Sequence, residues 1–508
     1  MKKISTDFLS YIKKYSIRCF LIIIRIFLVG IIILQISGFT LAYEDGDNMM
    51  AHTAINNLAI LQFEKDIMPA DPSLSCSSLD GNESSGLAWD RRSEGGPGDM
   101  IFPPDIRPDT TARKTMKGWI LSGAYSADQP QGAMGLVHFY DPTAPQGEGY
   151  LTDQQFLVNL LSVIWNSHWA NPHIDAVMWG FEKLIPSNTS GTIFEQNYSY
   201  PTAHENLKAA LAARENYNPY YGKAWRGLGE SMHIASDMTV PAHVRNDAHP
   251  SQLFDPDPYE HTTSAITITD NSAGIPADLN YRTDVISMVR SVAEFTNNNF
   301  FSEDTIDGQT SSPTIYTSPS LRDLHEDSAG YLHKTIHGSD IRIAHRKGTQ
   351  LSPDIAGLRL LERPVYEIDD RVIADQRTIL VPTAIRASAA VLDRFLPRFT
   401  ATMNYDYADP NHPQPGNYTM HGTISLANNS WNRDEWSDMP INNGAIIVIQ
   451  DTDGRTERIP VNSTIVSSMN DFTYSFQTTI TGNVSLIYDL GGYVITAGTT
   501  GSPKSIIE

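Results

Sequence analysis

Gly229-Glu230-Ser231-Met232-His233-Ile234-Ala235-Ser236-Asp237-Met238-Thr239-Val240-Pro241-Ala242-His243 decides how the rest of the chain is read. His233 and Asp237 are four residues apart, so on a helix both side chains leave the same face. Pro241 cannot donate a backbone hydrogen bond and stops the helix. The turn it forces lets His243 come back toward that face. With 15 histidines and 39 aspartates among 508 residues, His-x3-Asp-x5-His is expected 15 × (39/508) × (15/508), or about 0.03, times by composition alone. Imidazole nitrogens and carboxylate oxygens carried on rigid elements are the donors a zinc site uses, at about 2 Å from the ion. The plain alternative is a buried His–Asp hydrogen bond near a helix end, with His243 unrelated.

Outward from this stretch the apolar periodicity is mostly helical. Asp47 to Lys65, Leu151 to Leu184, His204 to Glu215, Gly222 to Met238, Asp284 to Phe300 and Arg377 to Phe395 all carry apolar residues at helical spacing. Pro69 to Pro108 is rich in Ser, Gly, Pro and Asp and reads as a surface excursion. Ser302 to Ser318 reads as a polar insertion between helices. Near Phe399 the pattern changes to short alternating runs, such as Ala445 to Ile449, Phe472 to Phe476, Val484 to Tyr488 and Tyr493 to Ile495. The expected fold is mostly α: a multi-helix domain over 43–400, a linker over 401–416 and a smaller all-β sandwich over 417–508.

Residues 1–42 stand apart. Lys2, Lys3, Lys13, Lys14 and Arg18 precede an apolar run from Phe20 to Leu41, broken by Arg25. Thr40-Leu41-Ala42 suits a signal-peptide cleavage site, which predicts a secreted, periplasmic or envelope-associated protein. An uncleaved anchor is the other reading, since about 20 apolar residues can span a bilayer. Lys and Arg number 37 against 58 Asp and Glu, a net charge of −21. That balance argues against stable nucleic-acid binding by phosphate neutralisation. Only Cys19 and Cys76 are present, so no disulfide framework holds the fold.

Three fragments join the first motif. His52 lies early in an amphipathic helix, Asp128 closes Ala124-Tyr125-Ser126-Ala127-Asp128, and His138 opens His138-Phe139-Tyr140-Asp141-Pro142. Together with Tyr259-Glu260, these islands resemble the zinc-dependent bacterial phospholipases C, relatives of the S1/P1 nucleases. The His-Phe-Tyr-Asp-Pro string resembles the phospholipase branch more closely. The resemblance implies a helical domain with zinc ions, two or three of them, at the bottom of a cleft. It implies metal ligation by His52, Asp128, His138, His233, Asp237, His243 and Glu260, with Asp237 or Asp128 shared between ions. Where the family has a histidine four residues before its last acidic ligand, Pro256 stands here. Asp257, Asp255 or His249 are the replacements within reach, and Asp257 equally suits a helix cap. The family also binds metal through the amine of an N-terminal tryptophan. Cleavage after Ala42 would present Tyr43 in that role.

What the resemblance implies about chemistry is hydrolysis of a phosphodiester, most simply phospholipid to diacylglycerol and a phosphorylated head group. Metal ions lower the pKa of water to about 7 and offset phosphate charge, so a very acidic protein can still hold an anionic substrate. Asp128, as general base, and Glu260 are the candidate catalytic groups. A nuclease acting on single strands keeps the metals but needs an aromatic stacking pocket. A surface-binding protein with a degenerate site is a third reading. His333 and His337, four apart with His325 nearby, read as solvated or hydrogen-bonded. Asp451-Thr452-Asp453-Gly454 reads as a hairpin turn before a calcium loop. Trp431 and Trp436 read as sandwich core, or else as anchors for a peripheral membrane contact.

Overall fold

The computed structural model describes residues 51–76, 84–88, 110–128, 135–153, 174–182, 199–213, 219–248, 257–264, 284–306, 316–353, 360–414, 416–427, 436, 444–461 and 471–501. Residues 1–50, with Tyr43, and His249, Asp255, Trp431 and most of Leu151 to Ile174 lie outside the described residues. Among the described residues the helices are α1 (Ala51–Gln62), α2 (Met116–Ser126), α3 (Ala176–Phe181), α4 (Tyr200–Ala213), α5 (Pro219–Asp237), α6 (Pro258–Ser264), α7 (Val285–Asn299) and α8 (Asp370–Phe395). The strands are β1 (Leu74–Cys76), β2 (Ser84–Ala88), β3 (Thr110–Lys114), β4 (His325–Glu326), β5 (Tyr331–Ile336), β6 (Ser339–Pro353) and β7 (Leu360–Glu367), then β8 (Phe399–Tyr407), β9 (Asn417–Leu426), β10 (Ala445–Gln450), β11 (Thr456–Pro460), β12 (Asp471–Gln477), β13 (Asn483–Asp489) and β14 (Tyr493–Thr500). The fold is thus a mainly helical part followed by an antiparallel β-sandwich.

Helix starts follow local chemistry. Thr115, Asp175, Asp284 and Asp369 each accept a hydrogen bond from a first-turn backbone N–H, at Gly118, Met178, Ser287 and Val372 respectively. Each satisfies a donor that the helix itself leaves without a partner.

The helical part is built around α5, whose residues from Tyr221 to Asp237 are buried but for the half-exposed Lys223. Two glycines fix how α2 crosses it. A Cβ on Gly229 would lie 2.1 Å from the Ile120 carbonyl oxygen, and one on Gly123 would lie 2.1 Å from the Arg226 carbonyl oxygen. Only glycine permits so close a crossing. On another side Asn56 of α1 donates to the Gly229 carbonyl at 3.2 Å. The motif helix is therefore clasped by the two elements that carry His52 and, just past the end of α2, Asp128.

Residues 325–353 and 360–367, where the sequence predicts no strands, form a four-stranded antiparallel sheet in the order β4-β5-β6-β7. Its tight turn is His337-Gly338, with φ of 51° and 80°. Two successive residues with positive φ make the two-residue hairpin that matches strand twist. His333 accordingly sits on a strand, and its spacing of four from His337 does not make a helical face. Arg342 clamps the sheet to α8 through Asp375, at 2.7 Å from Nε and 2.9 Å from a terminal nitrogen.

The sandwich pairs a five-stranded sheet, β1-β14-β13-β10-β11, with a three-stranded one, β12-β9-β8. Three expectations are corrected here. Residues 401–407, assigned to a linker, are strand β8, because Phe399, Met403 and Tyr405 bury one face. Asp409 to Gly416 joins β8 to β9 as a hairpin connection, held by Asp409 accepting from the N–H groups of Asn411 and His412. The excursion after Pro69 contributes β1, with Leu74 opposite Ile495 and Cys76 opposite Tyr493. The sandwich is therefore not confined to 417–508. Asp451 to Gly454 forms the β10–β11 hairpin, as expected, with Gly454 at φ 82°.

The two parts meet through side chains. Tyr221 of α5 donates to the Asp489 carbonyl at 3.0 Å. Arg398 bonds both Asp71 (2.9 Å) and Asp393 (2.6 Å). Trp436 is buried against His204 of α4, ring centroids 5.5 Å apart, and so is closed off from any membrane surface.

Candidate metal centre

The site grows from the end of α5. His233 and Asp237 are one turn apart, with His233 Nε2 3.4 Å from Asp237 Oδ2. After Asp237 the helix tightens, Thr239 N–H bonding the Ser236 carbonyl and Val240 N–H the Asp237 carbonyl, both at 2.9 Å. The chain then turns at Pro241. His243 returns, its Nδ1 3.9 Å from Asp237 Oδ1. Its carbonyl accepts from the Tyr140 N–H at 3.0 Å, which docks the His138 to Pro142 string alongside. Phe139 stacks on the His243 ring, centroids 4.5 Å apart.

Two carboxylates act as hubs. Asp237 faces His52 Nε2 and His138 Nδ1 as well, each at 3.4 Å. Asp128 Oδ1 lies 3.1 Å from His233 Nε2 and 3.3 Å from His138 Nδ1. Glu260 Oε1 reaches His243 Nε2 at 2.9 Å. The structure thus brings together His52, Asp128, His138, His233, Asp237, His243 and Glu260, all of them buried. It does not bring Asp257 in through Oδ1, which accepts from the Glu260 N–H at 2.9 Å, so that this carboxylate caps α6. Asp141 also turns away, accepting from the Thr143 N–H and from the Tyr316 hydroxyl.

Neighbouring groups set the tautomers. His233 Nδ1 donates to the Ala124 carbonyl at 2.7 Å. Ser236 gives its only proton to the His233 carbonyl (2.7 Å), so the 2.8 Å contact to His52 must be His52 Nδ1–H donating to Ser236 Oγ. In the neutral rings both Nε2 atoms then carry bare lone pairs, and both point at carboxylate oxygens. Asp128 Oδ1 and Oδ2, Asp237 Oδ1 and Oδ2, His233 Nε2 and both His138 nitrogens make no hydrogen bond. Lone pairs facing anions in a dry interior are repulsive unless a cation lies between them.

Charge responds accordingly. Burial pushes the Asp128 carboxyl up, but positive charge on the adjacent His233 and His138 rings outweighs it and holds Asp128 well below the usual carboxylate range. Asp237 is lowered in the same way, by His233 and His138 against burial. Burial pulls His233 down, yet Asp128 and Asp237 raise it well above the ordinary imidazole value. All three shifts have one cause: two buried carboxylates demand positive charge beside them, from a proton or a metal.

The donor set suits a metal. His52, Asp128 and His233 each offer one ligand atom within 4.8 Å of the others, and so do His138, His233 and Asp237. The two triads share His233, so the buried histidines and aspartates can hold metal. The sequence reading missed the groups that aim these ligands: Ser236, the Ala124 carbonyl and the glycine crossing. Ser236 was visible as the residue before Asp237, but its role depends on His52, 184 positions away.

No family model matches the chain, and no curated protein matches it. Solved structures similar in outline include two alpha toxins. The alpha toxin from Clostridium absonum is 11% identical, covers 91% of this chain and 100% of its own, and has a TM-score of 0.28. The Clostridium perfringens alpha-toxin isolated from avian strain SWCP is 10% identical, covers 90% of this chain and 98% of its own, and also has a TM-score of 0.28. Similarity at that level assigns neither a reaction nor a ligand.

Proposed function

We propose that the chain is a zinc-dependent phosphodiesterase, a phospholipase C that releases diacylglycerol and a phosphorylated head group. The observation that carries this reading is the buried convergence of His52, His138, His233 and His243 on Asp128, Asp237 and Glu260. Two or three zinc ions are the expected complement, and Asp237 or Asp128 would be the carboxylate shared between them. Zinc held there would supply positive charge for the phosphoryl oxygens and leaving alkoxide and would lower the pKa of the attacking water.

The chain's own residues do the rest. Asp128 has a carboxylate oxygen, Oδ2, that makes no hydrogen bond and is available to take the proton of the water. Glu260, against His243, is placed to orient that ring or to exchange a proton with the leaving group. Ser236 and the Ala124 carbonyl hold the His52 and His233 rings in one tautomer, with Nε2 of each left to ligate metal. With a net charge of −21, the protein would repel an anionic diester without cations in its site.

The lipid reading is favoured over the nuclease reading by two aromatic rings against the cluster among the described residues: Phe139 and Trp179, 5% and 4% exposed, are packed away and offer no face for a base. The leader supports export, and the sandwich is a candidate for peripheral contact with a lipid surface. No helix among the described residues is long and apolar enough to cross a membrane. The test is hydrolysis of a chromogenic phosphocholine diester and of lecithin, beside denatured DNA, before and after exhaustive chelation. Loss of lipid turnover on chelation and its return with zinc is expected. Turnover that survives chelation, or turnover of DNA alone, overturns the reading.

A further inference from the structure

We propose a second metal site, on the surface of the β4–β7 sheet, in which His325, His333 and Asp340 take a borderline divalent cation such as zinc, nickel or copper. It is independent of the hydrolase reading. His325 and His333 are direct partners in the antiparallel β4–β5 register. Directly opposed residues project from the same face, with Cβ atoms about 5 Å apart. Their rings lie parallel, centroids 4.9 Å apart and 24° between planes. Asp340 comes from a third strand. It opposes Thr335, two residues along β5 from His333 and so on the same face. The register shift at Leu332/His333 falls where the buried pair Tyr331-Leu332 gives way to the half-buried His333. Bulges of this kind re-aim a side chain.

The hydrogen bonding around His333 decides which nitrogen is offered. Asp327 Oδ2 lies 3.2 Å from His333 Nε2. The same carboxylate is fixed through Oδ1 by the Ala329 and Tyr331 N–H groups, at 2.8 and 2.9 Å. Asp327 therefore receives the Nε2–H, the carboxylate–histidine arrangement that orients metal-ligating rings. Nδ1 is left as the lone-pair nitrogen. It is shielded from water and makes no hydrogen bond, although Asp340 Oδ2 is 3.0 Å away. A lone pair against a carboxylate wants a cation between them. The three residues offer ligand atoms within 4.8 Å of one another. His325 is exposed, so an ion can enter and leave without unfolding. Two imidazoles with one carboxylate select zinc, nickel or copper over calcium or magnesium.

The full chain, with its buried centre already loaded with zinc, is titrated with Zn²⁺ by calorimetry and with Cu²⁺ by electron paramagnetic resonance. One further, weaker equivalent is expected. Its affinity should fall at least about tenfold in His325→Ala and in His333→Ala, and stay unchanged in His345→Ala on the same sheet. Nitrogen couplings from two imidazoles in the copper spectrum should drop to one in His325→Ala. Because His325 is exposed, that variant tests the site even if His333→Ala fails to fold. No further equivalent, or an unchanged equivalent and unchanged nitrogen coupling in His325→Ala, overturns the proposal.

Discussion

Two clusters of histidine and aspartate, built from the same side chains, behave in opposite ways. Around Asp237 and Asp128 the groups are buried on all sides and come from elements spread over some two hundred positions. Around His333 they sit on neighbouring strands within 16 residues, open to solvent. In the first, lone pairs and carboxylates have no water to fall back on, so they call for a compensating positive charge, from a proton or a metal. In the second, His325 and Asp340 are exposed to water, so an ion can come and go without unfolding the chain. Burial, not composition, separates a structural requirement from a surface opportunity.

That contrast can be broken at several points. The largest effect is expected from Asp237→Asn, which removes the hub shared by four imidazoles. Metal content, read by elemental analysis, should fall below half, with activity down more than about a hundredfold. Full metal and full activity would mean that the carboxylate is not a ligand. Gly229→Ala follows. Its methyl group would meet the Ile120 carbonyl at 2.1 Å and push α2 off α5, destabilising by about 3 kcal/mol or more. Chemical denaturation measures this, and a change under 1 kcal/mol would show that the crossing is loose. Ser236→Ala should leave the fold intact yet weaken metal binding about tenfold, because His52 loses the acceptor that sets its tautomer. Equal affinity in competition with a chromophoric chelator would remove that role.

The smallest effect concerns the join between the two parts. Burial pushes the Asp71 carboxyl up, but hydrogen bonds from Ser73 and Arg398 together with the Arg398 charge leave it below its ordinary value. A depressed folded pKa means stability that is present above the unfolded pKa and lost as pH falls through the folded one. Asp71→Asn should therefore flatten the drop in melting temperature between about pH 5 and pH 3. An unchanged drop would place the acid sensitivity elsewhere.

The longer helices α1, α4, α5, α7 and α8 were legible because each carries an apolar face at helical spacing, whereas α2 (Met116–Ser126) and the short α6 were not read. Asp284 marks such a start in sequence as in space, whereas the helix expected from Arg377 begins seven residues earlier, at Asp370, capped by Asp369. The sheet at 325–367 was not. Its strands are half-exposed, its turn uses His337 where Asn is usual, and its charged faces hide the alternation. The edge strand β1 was invisible for another reason. Three residues pair with a segment more than 400 positions away, and nothing local specifies that partner.

The sequence by itself determined the helix that carries His233 and Asp237, the turn at Pro241, and the types of donor present, since each of these rests on spacing and covalent geometry. Only the tertiary structure decided that His52, Asp128, His138 and Glu260 arrive at the same point, and that Asp257 caps a helix through Oδ1. Convergence depends on how closely α2 and α5 cross and on which hydrogen bonds fix each ring. Those are properties of packed surfaces, which no local pattern of residues encodes.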